Sequence, residues 1–193
     1  MMDWIRLPEA VPSFGAMVGW APQPLPVLPL IGVLLAAWYG WGVYRVTSSG
    51  RVWPWTRTAS FLFGCILLIL VTGLAVEGYG YELFSIWMFQ HLTLSMAIPP
   101  LLVLGSPGLL LLRSTPHTGW GIPILKLALT ALRSRTAKIL LHPGVTIPLF
   151  LFSYYGIYLS PVFDLVASSW VGHTGLELFF LATGVLFIVP VLS

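Results

Sequence analysis

Apolar side chains run almost unbroken from Phe84 to Arg113, FSIWMFQHLTLSMAIPPLLVLGSPGLLLLR, with no charge before the arginine. A helix needs about 20 apolar residues to cross a hydrocarbon core, so this run is long enough to span a bilayer. Further runs of the same character lie at about Leu28 to Tyr44, Ala59 to Glu77, Val145 to Leu159 and Val171 to Val191. The pattern predicts an all-α integral membrane protein with about five transmembrane helices. Residues 1–27 mix Asp3, Arg6, Glu9 and several prolines with short apolar pieces, without the charged start and sustained apolar stretch of a secretory signal. They are expected to form an irregular or interfacial segment with Trp4 and Trp20 at headgroup level, and residues 28–193 a single helical transmembrane domain. Within the third span, Pro99 and Pro100 predict a break or strong kink at Ile98 to Pro100, because proline removes a donor and its ring opposes the helical ladder.

Composition agrees with the class. Hydrophobic residues make up 58% of the 193 and charged residues only 8%, against about 25% charged in an ordinary soluble domain. The single cysteine, Cys65, excludes an internal disulfide and a thiolate cluster within one chain. A pI near 9.2 would otherwise suggest a nucleic-acid partner. The basic residues instead fall in the loops: Arg45, Arg51 and Arg57 follow the first span, and Arg113, Lys126, Arg133, Arg135 and Lys138 follow the third. These are eight of the nine Lys and Arg residues, and they mark the cytoplasmic side. Asp3, Glu9, Glu77, Glu82, Asp164 and Glu177 lie on or near the opposite face. The N-terminus is therefore expected outside, in a bacterial-type inner (cytoplasmic) membrane, with the lipid bilayer and no nucleic acid as partner. The long cytoplasmic loop carries ILKLALTALRSRTAKILL, the composition of an interfacial helix in the headgroup layer.

Charge inside a membrane is costly, so buried histidines are functional candidates. His91 lies about 10 Å below the outer end of its span at 1.5 Å per residue, with Trp87, Met88 and Ser95 on the same helical face. His173 and Glu177 have i,i+4 spacing at the outer end of the fifth span. Thioether and imidazoles suit copper, and imidazole with carboxylate suits zinc or a proton relay. The same residues also fit plain packing with one interhelical hydrogen bond, and upright helices place His91 about two turns deeper than His173. His117, His142 and Cys65 belong to the cytoplasmic half. Glu77 and Glu82 flank a GYGYE turn and read as solvated, Tyr154, Tyr155 and Tyr158 as an aromatic belt, and Gly73, Gly105 and Gly184 as points of close helix approach.

The segments VWPWTRTASFLFGCILLILVTGL, WMFQHLTLSMAIPPLLVLGSPGLLLLR, HPGVTIPLFLFSYYGIYLSPVFDL and GHTGLELFFLATGVLFIVPVL, in this order from about Trp38 to the end, resemble the multi-spanning CtaG family of cytochrome c oxidase assembly factors. The resemblance implies a polytopic helical protein that supplies copper during oxidase assembly and is not an enzyme. Its implied metal ligands are Met88, His91 and His173, with Glu177 as an oxygen ligand in a stretch that is histidine-rich in the family. The family's His-Met-x-x-His reads here Trp87-Met88-Phe89-Gln90-His91, so one imidazole is replaced by indole. The family also continues past its VPV-type ending, which makes this chain a divergent, truncated member by that comparison.

Two function classes follow. One is an assembly factor that passes copper to an oxidase subunit at the outer face. The other is a non-catalytic accessory subunit of a respiratory or photosynthetic membrane complex. Retained metal in the purified protein favours the first, and co-purification with a large complex at fixed ratio favours the second. The topology has its own test: in intact cells a cysteine at Gly80 is expected to be labelled from outside and one at Ser49 is not, and the reverse pattern overturns the orientation.

Overall fold

The computed structural model describes residues 6–119, 121–159 and 169–192; the expectations for Asp3, Trp4 and Asp164 lie outside them. Proline and small polar residues set where helices begin. A single turn, α1 (Phe14–Met17), is capped by the Ser13 hydroxyl, which accepts from the Ala16 N–H. The long helices α2 (Val27–Ser48) and α3 (Trp55–Gly73) follow Pro26 and Pro54 directly, where a missing N–H costs nothing because the first turn leaves it unpaired. A short helix, α4 (Val76–Glu82), folds back before the third span.

That span is helical as α5 (Phe84–Leu92), a π segment (Thr93–Ala97) and α6 (Ile98–Leu104). The expected break at Ile98 to Pro100 is not where the distortion falls. The helix continues across both prolines, and the ladder shifts one turn earlier, where the Ile98 N–H donates to the Thr93 carbonyl in an i→i+5 bond. The chain turns instead at Gly105 and Ser106, the latter left-handed at φ 51°, before α7 (Pro107–Ser114). Beyond it come α8 (Gly121–Arg133), α9 (Arg135–Leu140), α10 (Pro143–Leu151) with a second π segment (Phe152–Gly156), and α11 (Trp170–Leu192).

Among the described residues, four stretches are long and apolar enough to cross a membrane: Val27–Ser48, Trp55–Gly73, Phe84–Ser114 and Trp170–Leu192. The run expected at Val145 to Leu159 corresponds to α10 and its π segment, a shorter helical stretch than these four. The chain is thus a multi-pass helical membrane protein, and no strand occurs among the described residues. Helix α2 packs on α3 and α7, α3 on α6, and α11 on α6, α10 and the first π segment. Tyr39 ties the centre together: its ring stacks on Phe61 at 4.1 Å, and its hydroxyl donates to the Gly105 carbonyl at 2.7 Å.

The basic loops meet at one end. Arg51 donates to the Arg113 carbonyl at 3.3 Å, and Arg57 and Arg113 both lie over the Trp53 ring, at 5.6 and 5.9 Å. Of the glycines expected at close approaches, Gly184 is the tightest: a Cβ there would stand 2.3 Å from the Ser95 carbonyl oxygen. A Cβ on Gly105 would meet Phe61 Cβ at 2.6 Å. Gly80 also faces protein, since its Cβ would collide with Gln90 Oε1. Exposed Glu82 is therefore the better carrier of an outer-face label.

Backbone cannot yield as a side chain can, so Gly184→Ala is expected to cost about 1–3 kcal/mol and to lower the thermal unfolding midpoint in detergent. Gly175→Ala, with nothing within 4 Å of the new methyl group, is expected to leave the midpoint unchanged or raise it.

Candidate metal site

The N-terminal segment lies over helix α4. The Ala75 N–H donates to the Gly19 carbonyl at 2.8 Å, and the Tyr79 hydroxyl to the Ala10 carbonyl at 2.8 Å. Gln23 exchanges two hydrogen bonds with the Arg6 backbone, whose carbonyl passes so near Gly78 that a Cβ would touch it at 3.0 Å. Under this cover Glu77 is only 4% exposed. The solvated position expected for it is corrected; Glu82, five residues on, is the exposed one.

Buried, the Glu77 carboxylate needs partners. Gln90 Nε2 donates to its Oε2 at 2.7 Å and to the Val71 carbonyl at 3.1 Å. Its Oε1 lies 3.1 Å from His173 Nε2, and the same nitrogen is 3.9 Å from Glu177 Oε1. One ligand atom from each of Glu77, His173 and Glu177 falls within 4.8 Å of the others, and all three residues are buried. His173 Nδ1 has no hydrogen-bond partner among the described residues. The Tyr81 ring stacks on His173 at 4.0 Å. Burial pushes the Tyr81 phenol above its ordinary pKa, and the charges of Glu77 and Glu177 push it further, so its hydroxyl stays neutral. Two carboxylates and one imidazole in apolar surroundings call for neutralisation by a proton or a cation.

The other expected ligands stand outside that group. His91 is fully buried and makes the interhelical hydrogen bond anticipated for it, between Nδ1 and the Tyr158 hydroxyl. Phe180 stacks on its ring at 4.0 Å, and its Nε2 has no partner among the described residues. Ser95 donates to the His91 carbonyl at 2.6 Å and is hydrogen-bonded to the Tyr154 hydroxyl. The Trp87 ring lies 3.9 Å from that of His91 and 4.5 Å from that of His173. Indole thus occupies the space between the two imidazoles. Met88, half-buried, lines an apolar groove of about 460 Å³ with Phe84, Leu92, Met96 and Tyr155. His142 caps α10 by accepting from the Gly144 N–H.

The tyrosines are likewise divided: Tyr154 and Tyr158 turn inward to Ser95 and His91, and Tyr155 alone is largely exposed, as an aromatic belt requires. Glu77 was the main residue missed, and a signal for it exists. It sits in LAVEGYG, an acid among apolar and glycine residues that leave it little solvent to face. Gln90, an uncharged polar residue beside a membrane histidine, carries the matching signal.

Fold and site define a polytopic helical membrane protein with an acidic and imidazole cluster buried near one end of its bundle. Residues 37–193 match the cytochrome c oxidase caa3 assembly factor family, and the chain belongs to that family. An uncharacterized protein of Mycobacterium bovis and another of Mycobacterium tuberculosis are each 39% identical to it over 158 residues, 81% of this chain and 24% of theirs. One of Mycobacterium leprae is 39% identical over 80% of this chain and 24% of its own. The chain spans about a quarter of the length of these relatives. No solved structure matches it significantly.

Tyr158→Phe removes the partner of His91 Nδ1 and is expected to destabilise the protein by about 1–3 kcal/mol, the cost of an unsatisfied buried polar atom. Thermal unfolding in detergent measures it, with Tyr155→Phe as the neutral control.

Proposed function

We propose that this protein serves the assembly of a cytochrome c oxidase in the membrane, and that Glu77, His173 and Glu177 bind a divalent metal ion as cargo for an oxidase subunit. One observation carries the reading: three ligating side chains from α4 and α11 converge within 4.8 Å in the interior of a chain of this family. His173 turns its Nε2 towards both carboxylates, and Gln90 fixes the Glu77 carboxylate beside it, an arrangement suited to a cation. The donor set decides which cation. Copper(I) favours thioether and imidazole, yet Met88 lines the groove and His91 is bonded to Tyr158. Two carboxylates with one imidazole suit Cu²⁺ or Zn²⁺. With the N-terminus outside, the cluster lies towards the outer face of the inner membrane, where the metal would be handed over.

A second reading has its own support. Trp87 fills the space between His91 and His173, as expected of an accessory subunit of a bioenergetic complex that has kept the fold and lost the copper chemistry.

Metal titration of the detergent-purified chain separates these readings. The cargo reading expects one equivalent of Cu²⁺ or Zn²⁺ per chain, lost in Glu77→Gln and in Glu177→Gln, and retained in His91→Ala. Gln90→Met, which releases the Glu77 carboxylate, is expected to weaken affinity about 10- to 100-fold. Tight copper binding lost on His91→Ala would restore a centre of Met88, His91 and His173. No binding at all, with co-purification in a large complex at fixed ratio, would establish the accessory role. The assembly role is read separately: deleting the gene is expected to lower the amount of assembled oxidase in the membrane, and an unchanged amount would overturn it.

A further inference from the structure

Lys126 and Arg133 are seven positions apart on α8, so they share one face about 10 Å apart along the axis. With His117, Ile122, Leu125 and Leu129 they line a cavity of about 710 Å³. The ion pairs among the described residues are those of His173, and neither Lys126 nor Arg133 has a hydrogen-bond acceptor there. No Asp or Glu occurs between Glu82 and Asp164, so this part of the chain supplies no counter-charge of its own. Helix α7 ends at Ser114 and α10 begins at Pro143. The cavity therefore lies where membrane-crossing helices end, at the depth of lipid headgroups.

A preference for basic residues on one side of a membrane explains how many cations this loop holds. It does not explain two of them on a concave wall that also carries Ile122, Leu125 and Leu129 beside His117, Thr130 and Ser134. That combination matches an amphiphile with an anionic head and apolar chains. A zwitterionic lipid carries its own cation beside the phosphate and gains less from the pair. We propose that the cavity binds one anionic phospholipid, with its phosphate between Lys126 and Arg133 and the upper part of its chains against Ile122, Leu125 and Leu129.

Native mass spectrometry of the detergent-purified chain tests this, with phosphatidylglycerol or phosphatidylcholine added at equal concentration. One phosphatidylglycerol is expected to be retained in preference. Lys126→Gln or Arg133→Gln is expected to weaken retention about fivefold each, the effect of one basic residue at a headgroup. Lys138→Gln removes the same charge from the neighbouring α9, outside the cavity, and is expected to leave retention unchanged. Lys126→Arg keeps the charge and is expected to keep the lipid, which separates loss of the site from loss of the fold. Equal retention of the two lipids, or an equal loss with Lys138→Gln, overturns the proposal. Displacement of the lipid by millimolar inorganic phosphate overturns it in favour of a free-anion site.

Discussion

The contact on which the rest depends is the Glu77 carboxylate inside the bundle. An isolated buried charge costs several kcal/mol, so the carboxylate holds its place only while Gln90 and His173 meet it. Those partners come from α5, the next helix in the chain, and from α11, 96 residues away at His173, so the carboxylate ties a local pair of helices to the far end of the sequence. The same contact draws α4 inward, lays Tyr81 on His173, and leaves the N-terminal segment to close over Gly78. Removing Glu77 or either partner leaves the remaining polar groups buried and unsatisfied, which costs more than the net worth of the bonds lost.

Proline supplies the second constraint. Pro99 and Pro100 withhold two donors, and the helix answers with an i→i+5 segment one turn earlier instead of a break. In the partner stretch, Pro148 precedes a π segment of the same length, where the Ile157 N–H reaches the Phe152 carbonyl. The two segments are joined by Ser95 and Tyr154, and one turn to the side His91 meets Tyr158. Gly184 lets α11 approach the widened backbone at Ser95 more closely than any side chain would permit. The unusual backbone and the buried histidine thus belong to one arrangement.

The membrane class and the long helices were legible in the sequence because apolar runs of this length have few other uses. His173 and Glu177 were legible as a pair because i,i+4 spacing fixes their common face. The depth argument that separated His91 from His173 assumed upright helices, and one indole ring nevertheless reaches both imidazoles. Upright helices do not anticipate that α4 brings Glu77 in from a turn. Spacing along a helix locates neighbours on that helix and is silent about which loop folds over its end. Met88 illustrates the same limit, since i−3 spacing puts it near His91 without deciding that its thioether faces the groove.

The two ends of the bundle manage charge in opposite ways. At one end the acids Glu77 and Glu177 are inside, where low dielectric strengthens every interaction they make and a bound cation would replace lost hydration. At the other, Lys126 and Arg133 line an open cavity with no acid near them in the chain. Reversing that placement would remove the grounds for both proposals. Buried basic residues would repel a metal ion, and acidic residues at the headgroup would repel anionic lipid. The distribution of charge from which the orientation is expected is therefore also what would suit one end to a cation and the other to the membrane.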